Sequence, residues 1–274
     1  LCPNVASRVQ QLLGADRAAA MDVNTACTSF LYALSTATAM IRSGAVGNAL
    51  VIGAEVISPI MDWSNRNVAV LFGDGAAAVY LEAADDQQGL LGAELGCIGE
   101  VRDILSVHGW GMRYANQGLT LGDAWWEFDG QEIFKRAVQA MAAARGGVLQ
   151  KCGLGVDDIA VVVPHQANLR IIEAVAKRVG VPSEKVFVNV HRYGNMSAAT
   201  APVALVEALE EGRVRGGDAV LMPAFGGGLT WCAHLLRWGE RTTPLGQAQI
   251  ELPPCDQTAL ELVNDLISRK GGKS

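Results

Sequence analysis

No CxxC pair occurs in this sequence, and its six cysteines, at positions 2, 27, 97, 152, 232 and 255, do not cluster with its four histidines. Both absences speak against a structural metal site and a disulfide framework, and scattered thiols fit a reducing, cytoplasmic setting. Basic runs are also missing, and the formal net charge is −6, so nucleic acid is not an expected partner. No apolar run approaches the roughly 20 residues that cross a bilayer, and no signal-peptide pattern is visible, so no membrane partner is expected. What remains is small and apolar: half of the 274 residues are hydrophobic and 31 are glycine. A chain of this length can bury a large core in one or two domains.

Hydrophobic periodicity divides the chain into alternating strands and helices. A short amphipathic helix is predicted over 4–13, a strand over 17–23 and a helix over 28–43 that Gly44 ends. Residues 49–52 form a continuous apolar run, as expected for a strand covered on both faces. Gly73-Asp74-Gly75 is a turn into a strand over 76–81, and 89–97 is another strand. Residues 101–124 read as a loop region holding Trp110 and Tyr114. Helices are predicted over 130–149, 168–179 and 197–210, and strands over 159–163, 186–190, 219–222 and 230–236. This alternation indicates α/β layers with helices outside the sheets. Residues 239–254 are punctuated by Pro and Gly, and 258–267 carry apolar residues at helical spacing before a basic end, which suggests a surface or partner-facing helix.

The stretch Met21-Asp22-Val23-Asn24-Thr25-Ala26-Cys27-Thr28-Ser29-Phe30 stands at the centre of this pattern. It places Cys27 at a strand-to-helix turn, where Thr25 or Asn24 can cap the helix. Free N–H groups and the positive end of the helix dipole would then lower the thiol pKa from about 8.5. Ala26, Thr28 and Ser29 are small enough to let a substrate carbonyl approach. A nucleophilic cysteine is expected on these grounds; the plainer reading is a buried cysteine that fills space.

The chain also repeats itself. Residues 4–14 resemble 168–180, 21–23 resemble 187–190, and 48–51 resemble 218–221. Cys27 to Gly44 spans the same seventeen positions as Asn195 to Gly212, which aligns Cys27 with Asn195. Two related halves are expected, divided as 1–88 and 89–238, with 239–274 as an extension. The block 89–164 has no counterpart in the first half, so roughly 75 further residues are expected before Leu1.

Three more segments carry chemistry. Pro164-His165-Gln166-Ala167-Asn168-Leu169-Arg170 puts a histidine at the carboxyl end of a strand, and Tyr193-Gly194-Asn195-Met196-Ser197-Ala198-Ala199 puts an asparagine at a strand-to-helix turn. Ligands bind at such ends in open α/β sheets. Ala224-Phe225-Gly226-Gly227-Gly228 offers bare backbone N–H groups suited to an oxyanion. With Phe72-Gly73-Asp74-Gly75-Ala76 and the Cys27 stretch, these segments resemble β-ketoacyl-acyl-carrier-protein synthase III of the thiolase superfamily, from residue 1 to 238.

That resemblance implies a thiolase-like fold: two α/β halves in an αβαβα arrangement, the first incomplete, in a homodimer. It implies an acyltransferase that starts fatty acid synthesis. An acyl-CoA starter would condense, with loss of CO2, with malonyl-acyl carrier protein through an acyl-Cys27 intermediate, without metal or redox cofactor. His165 and Asn195 would promote decarboxylation as two neutral donors to the enolate oxygen. The N–H groups of Cys27 and Gly227 would form the oxyanion hole, and Phe225 would be the aromatic neighbour of the cysteine. Arg66, Gly130, Gln131, Phe134, Ala167 and Asn168 fall where the family binds coenzyme A, and Arg170 where it docks the carrier protein. Gln131 stands where Asn is common, Thr28-Ser29 where Ala-Gly is frequent and Met196 where Thr is frequent; the last two departures predict an altered acyl fit. Related condensing enzymes of polyketide or quinolone type, and an inactive thiolase-fold scaffold, are the competing readings. A hydrolase is disfavoured, since no GxSxG elbow occurs.

Overall fold

The computed structural model describes residues 2–84, 87–108, 125–243 and 254–271. Helix α1 (Val5–Leu12) comes first. Its first N–H groups would lack partners within the helix. Val5 and Ala6 instead donate to the Asp22 carboxylate, each at 2.9 Å, which holds the Asp22 pKa below its ordinary value. The strand predicted over 17–23 is not formed, and the segment is largely exposed. Among the described residues no strand lies beside it to take its backbone hydrogen bonds.

Helix α2 (Ser29–Arg42), β1 (Asn48–Glu55), the single-turn α3 (Arg66–Ala69) and β2 (Gly75–Glu82) complete the first half. β1 and β2 pair antiparallel. The expectation that 49–52 is covered on both faces does not hold. Val51 is buried, whereas Leu50 and Ile52 are exposed beside their register partners Tyr80 and Ala78. The sheet is therefore one-sided among the described residues.

The second half holds β3 (Gly89–Cys97), β4 (Leu105–His108), β5 (Trp125–Phe128), α4 (Gly130–Cys152), β6 (Ile159–Val162), α5 (Leu169–Val179), the short α6 (Val190–Tyr193), α7 (Thr200–Glu210), β7 (Ala219–Gly226) and β8 (Thr230–Arg237). β4 and β5 form an antiparallel hairpin at the edges of the region read as loop; Trp110 and Tyr114 lie outside the described residues. The main sheet has the order β3-β8-β7-β6, with β6 and β7 parallel and the other pairs antiparallel. β7 is buried along its whole length, and its side chains alternate between two cores. Ala219, Leu221 and Phe225 face α4 and α5, while Val220, Met222 and Ala224 face α2 and α7. Val51 of β1 joins the second core, with Val79 and Leu81 of β2 at its margin. The succession α4/α5, main sheet, α2/α7, β1/β2 gives four layers of the expected five. A fifth, outside β1/β2, is not among the described residues.

The strand predicted over 186–190 is not a strand either. Phe187 N donates to Val162 O, but then the buried Gln166 side chain takes over. Its Nε2 donates to Phe187 O, and its Oε1 accepts from Asn189 N and Val190 N. A side-chain amide thus replaces a ladder and turns the chain into α6. Beyond the body, α8 (Ala259–Gly271) forms where the tail periodicity predicts it.

The repeat is visible in the backbone, but in a different register. Ala26 (φ 52°) and Ser197 (φ 48°) are the two non-glycine residues of left-handed conformation among the described residues. Each opens a 3-10 turn, 26–28 or 197–199, that leads into α2 or α7. Asn24 Oδ1 accepts from Ala26 N, and Asn195 Oδ1 accepts from Ser197 N. Ser29 Oγ donates to Ala26 O, and Thr200 Oγ1 to Ser197 O. Asn195 therefore corresponds to Asn24, and Cys27 to Ala198. The glycine spacing misled because α2 has 14 residues and α7 only 11.

Candidate active site

The turn that carries Cys27 is built from its own polar side chains. Asn24 Oδ1 accepts from Ala26 N ahead of the 3-10 turn and Ser29 Oγ accepts from Thr25 N, but neither Asn24 nor Thr25 caps α2, whose N-cap residue Thr28 makes no side-chain cap bond. The Thr25 side chain does not cap; it joins a buried threonine cluster. Thr28 Oγ1 lies 2.9 Å from Thr25 Oγ1 and 2.7 Å from Thr230 Oγ1, and Thr230 also donates to Thr25 O. This cluster ties the turn before α2 to the turn after β7. Thr28 is fully buried in it and does not line the cavity, so it does not let substrate approach or shape an acyl pocket.

A cavity of about 400 Å³ opens against this turn. Cys27, His165, Asn195, Phe225 and Gly227 all line it, so five positions drawn from four distant segments meet in one place. The backbone N–H groups of Cys27 and Gly227 and the Ser197 hydroxyl lie close enough to the Cys27 sulfur to favour its thiolate. Gly226 must be glycine here, because a Cβ would sit 2.8 Å from Cys27 N.

The thiol is not the activated thiolate that the turn geometry predicts. The residue is half-buried, but its sulfur is enclosed by protein and burial pushes its pKa up to about 11. The nearby N–H groups and Ser197 oppose that rise without overcoming it, and the charge of Glu55 adds to it. Desolvation outweighs partial backbone charges when no full positive charge is close.

His165 is 2% exposed, and burial pushes its pKa down to about 4, so the imidazole is neutral. Its Nδ1 lies 2.5 Å from Thr200 Oγ1. When the hydroxyl donates to Nδ1, the ring proton sits on Nε2, the free edge. Asn195 is fixed from three sides. Its N donates to Leu71 O, its O accepts from Gly73 N, and its Oδ1 accepts from Ser197 N. This leaves Nδ2 as the donor. Gly73 allows the approach, since a Cβ there would meet Tyr193 O. Met196 packs against Gly75 and is buried outside the cavity lining, so it does not shape the acyl site as expected.

Sequence reasoning missed most of the apolar wall. Ile57 and Ile60 precede α3, Leu105, Val107, Trp126 and Phe128 come from the β4–β5 hairpin, and Ile133, Ala137 and Met141 come from α4. Phe72 stacks on Trp126 with ring centroids 4.8 Å apart. The aromatic run Trp125-Trp126-Glu127-Phe128 was the available signal for that hairpin. Glu55, at the end of β1, is a cavity-lining carboxylate that the sequence did not single out.

Of the positions assigned to coenzyme A, Ala167 and Asn168 line the cavity. Asn168 Oδ1 also caps α5 by accepting from Ile171 N. Arg66 is exposed on α3, and Gly130 and Gln131 are exposed at the start of α4, where Asp129 accepts from Gln131 N. Phe134 packs against the α4/α5 core. These four do not line the cavity, and Arg170 is exposed on α5. No cluster of metal-ligating side chains occurs among the described residues.

Comparison with known proteins identifies the family. The family model of 3-oxoacyl-[acyl-carrier-protein (ACP)] synthase III matches residues 21–99, and its C-terminal companion matches 149–238. Beta-ketoacyl-[acyl-carrier-protein] synthase III 2 of Vibrio cholerae is 52% identical over 269 residues, which is 97% of this chain and 74% of the relative. The synthase III of Roseiflexus castenholzii is 50% identical over 86% of this chain and 72% of its own length. The crystal structure of the synthase III from Thermus thermophilus superposes with a TM-score of 0.81 at 41% identity, covering 88% of this chain and 74% of that one. The chain is a member of the β-ketoacyl-acyl-carrier-protein synthase III family, with its thiolase-like fold.

Proposed function

We propose that this condensing acyltransferase joins an acyl-CoA starter to malonyl-acyl carrier protein, with loss of CO2, through a thioester on Cys27. The observation that carries this reading is the meeting of Cys27, His165 and Asn195 on one apolar cavity beside two converging backbone N–H groups. The sulfur attacks the starter carbonyl, and the N–H groups of Cys27 and Gly227 hold the developing oxyanion. Phe225 closes the wall beside the acyl group.

The malonyl thioester then binds, and decarboxylation leaves negative charge on its thioester oxygen. His165 Nε2–H and Asn195 Nδ2–H are two neutral donors for that oxygen. Each is worth roughly 3 kcal/mol in a water-excluded site. Neutrality is supported by the lowered pKa of His165. The enolate carbon attacks acyl-Cys27, and the sulfur leaves. None of these steps calls for a metal or redox cofactor.

In this reading coenzyme A lies along Ala167 and Asn168, and Arg66, Gly130, Gln131 and Phe134 are assigned to its outer parts by the family resemblance alone. Arg170 belongs to the surface that receives the acidic carrier protein. The protein acts in the cytoplasm as a homodimer; among the described residues no helix is long and apolar enough to cross a membrane. Single-turnover assays test the division of labour. His165→Ala is expected to retain acyl transfer and to lose condensation by 100-fold or more, about 3 kcal/mol. Equal loss of both half-reactions contradicts it.

A further inference from the structure

We propose that Ser197 and Glu55 form the relay that takes the proton from Cys27 as its sulfur attacks the acyl-CoA thioester. The proposal deepens the function above and rests on Cys27 being the acyl acceptor.

A thiol enclosed as Cys27 is must lose its proton during attack. Among the described residues, Cys27 and Ser197 line the same cavity, and Ser197 carries the one side-chain hydroxyl that acts on the sulfur. Ser197 Oγ in turn stands 3.2 Å from Glu55 Oε1 and donates to it. His165 borders the same cavity, with its Nδ1 engaged by Thr200. The chain of atoms is therefore Cys27 Sγ, Ser197 Oγ, Glu55 Oε1.

Two structural features favour this path. Ser197 holds a left-handed φ of 48°, a conformation that costs a side-chain-bearing residue about 1 kcal/mol or more and recurs at functional sites. It brings the hydroxyl between the two halves. Glu55 ends β1 and borders the cavity, and burial raises its pKa, which makes its carboxylate a better proton acceptor than an exposed one. Cys27 and His165 share the cavity with it, and Asp74 precedes its register partner Gly75. The Asp74 carboxylate is engaged by Ile57 N, Ser58 N and Ser58 Oγ.

The step balances. The Cys27 sulfur forms a bond to the thioester carbon while its proton passes to Ser197 Oγ and the Ser197 proton passes to Glu55. The tetrahedral oxyanion rests on the two backbone N–H groups. Its collapse breaks the bond to the coenzyme A sulfur. That thiolate leaves and takes up the proton that Glu55 holds, so acyl-CoA and thiol become acyl-Cys27 and free CoA–SH.

The test is single-turnover acylation of the full chain by acyl-CoA, followed by intact-protein mass spectrometry from pH 5.5 to 10. Glu55→Gln is expected to slow acylation at neutral pH by at least 100-fold, the usual scale of general acid–base catalysis. The deficit should shrink as pH rises towards 10, where a growing fraction of the thiol ionises unaided. Ser197→Ala should behave alike, the double variant should lose no more than either single one, and Glu55→Asp should recover part of the rate. Thermal melts report folding of each variant. The charge of Glu55 raises the thiol pKa, so a purely electrostatic role predicts faster acylation in Glu55→Gln. A faster rate, an unchanged rate, or a loss that is uniform across pH overturns the relay. If the unaltered chain forms no acyl-Cys27, the parent reading falls and the relay falls with it.

Discussion

Thr200 Oγ1 touches His165 Nδ1, and the tautomer in which this hydroxyl donates leaves Nε2–H free for an enolate. Its hydroxyl has one proton to share between His165 Nδ1 and Ser197 O. Thr200→Val removes that donor, so condensation should fall about tenfold or more, the scale of a lost buried hydrogen bond. Acyl transfer should change less, and Thr200→Ser should restore condensation. Equal effects on both half-reactions, measured in single turnover, would assign Thr200 a structural role only. A second prediction concerns acid. His165 and His234 are both buried, with pKa values pushed down to about 4. The unfolded chain takes up protons first as pH falls, so stability is fully present above about pH 6.5 and is lost progressively towards pH 4. The loss is about 1.4 kcal/mol per pH unit for each imidazole. Thermal midpoints between pH 7.5 and 4.5 check it, and a flat profile contradicts it. At this scale the sequence was informative about identity and poor about state. Cys27, His165, Asn195, Phe225 and Gly227 were all legible as site positions. The raised thiol pKa was not, because it follows from enclosure by residues far away in the chain.

The two related turns carry the site at the scale of elements. Both use an Asn side chain that accepts from the N–H two residues on, a left-handed residue and a hydroxyl one turn later, and both feed a helix that runs between the sheets. Gly226 presses directly on the first turn. Gly226→Ala should cost about 1–3 kcal/mol as overpacking does and should suppress acylation more than it suppresses folding. Ala26→Gly should instead relieve the left-handed backbone and raise stability by about 1 kcal/mol. Melting curves with acylation rates measure both; a stabilised Gly226→Ala would show that the turn is not tightly packed. Helices with clear periodicity and glycine stops were legible, as α2, α4, α5 and α7 show. Two strands were not. Residues 17–23 have the right composition and no neighbouring strand, and 186–190 surrender their hydrogen bonds to Gln166. The β4–β5 pair escaped because four-residue strands rich in aromatics carry little periodicity.

The molecule as a whole is a stack of layers with the cavity where its two halves meet. Each half supplies what the other lacks: the sulfur and Glu55 from one, the imidazole, carboxamide and Ser197 from the other. Nothing in the local pattern of either half reveals that pairing; the repeat suggested it, though its register came out three residues off. Helix α8 stands apart, with Leu260, Leu262 and Ile267 all exposed. Deleting 254–274 should therefore change stability by no more than about 0.5 kcal/mol. A larger loss in the melting midpoint would mean that the tail packs against the body in solution. The central claim, that Cys27 carries the acyl group, is tested most directly by incubating the chain with a mixture of acyl-CoA thioesters, weighing it intact and mapping the modified peptide. The account predicts one acyl group on Cys27, absent from Cys27→Ala and discharged as a β-ketoacyl product when malonyl-acyl carrier protein is added; no adduct, or an adduct on another cysteine, would contradict it.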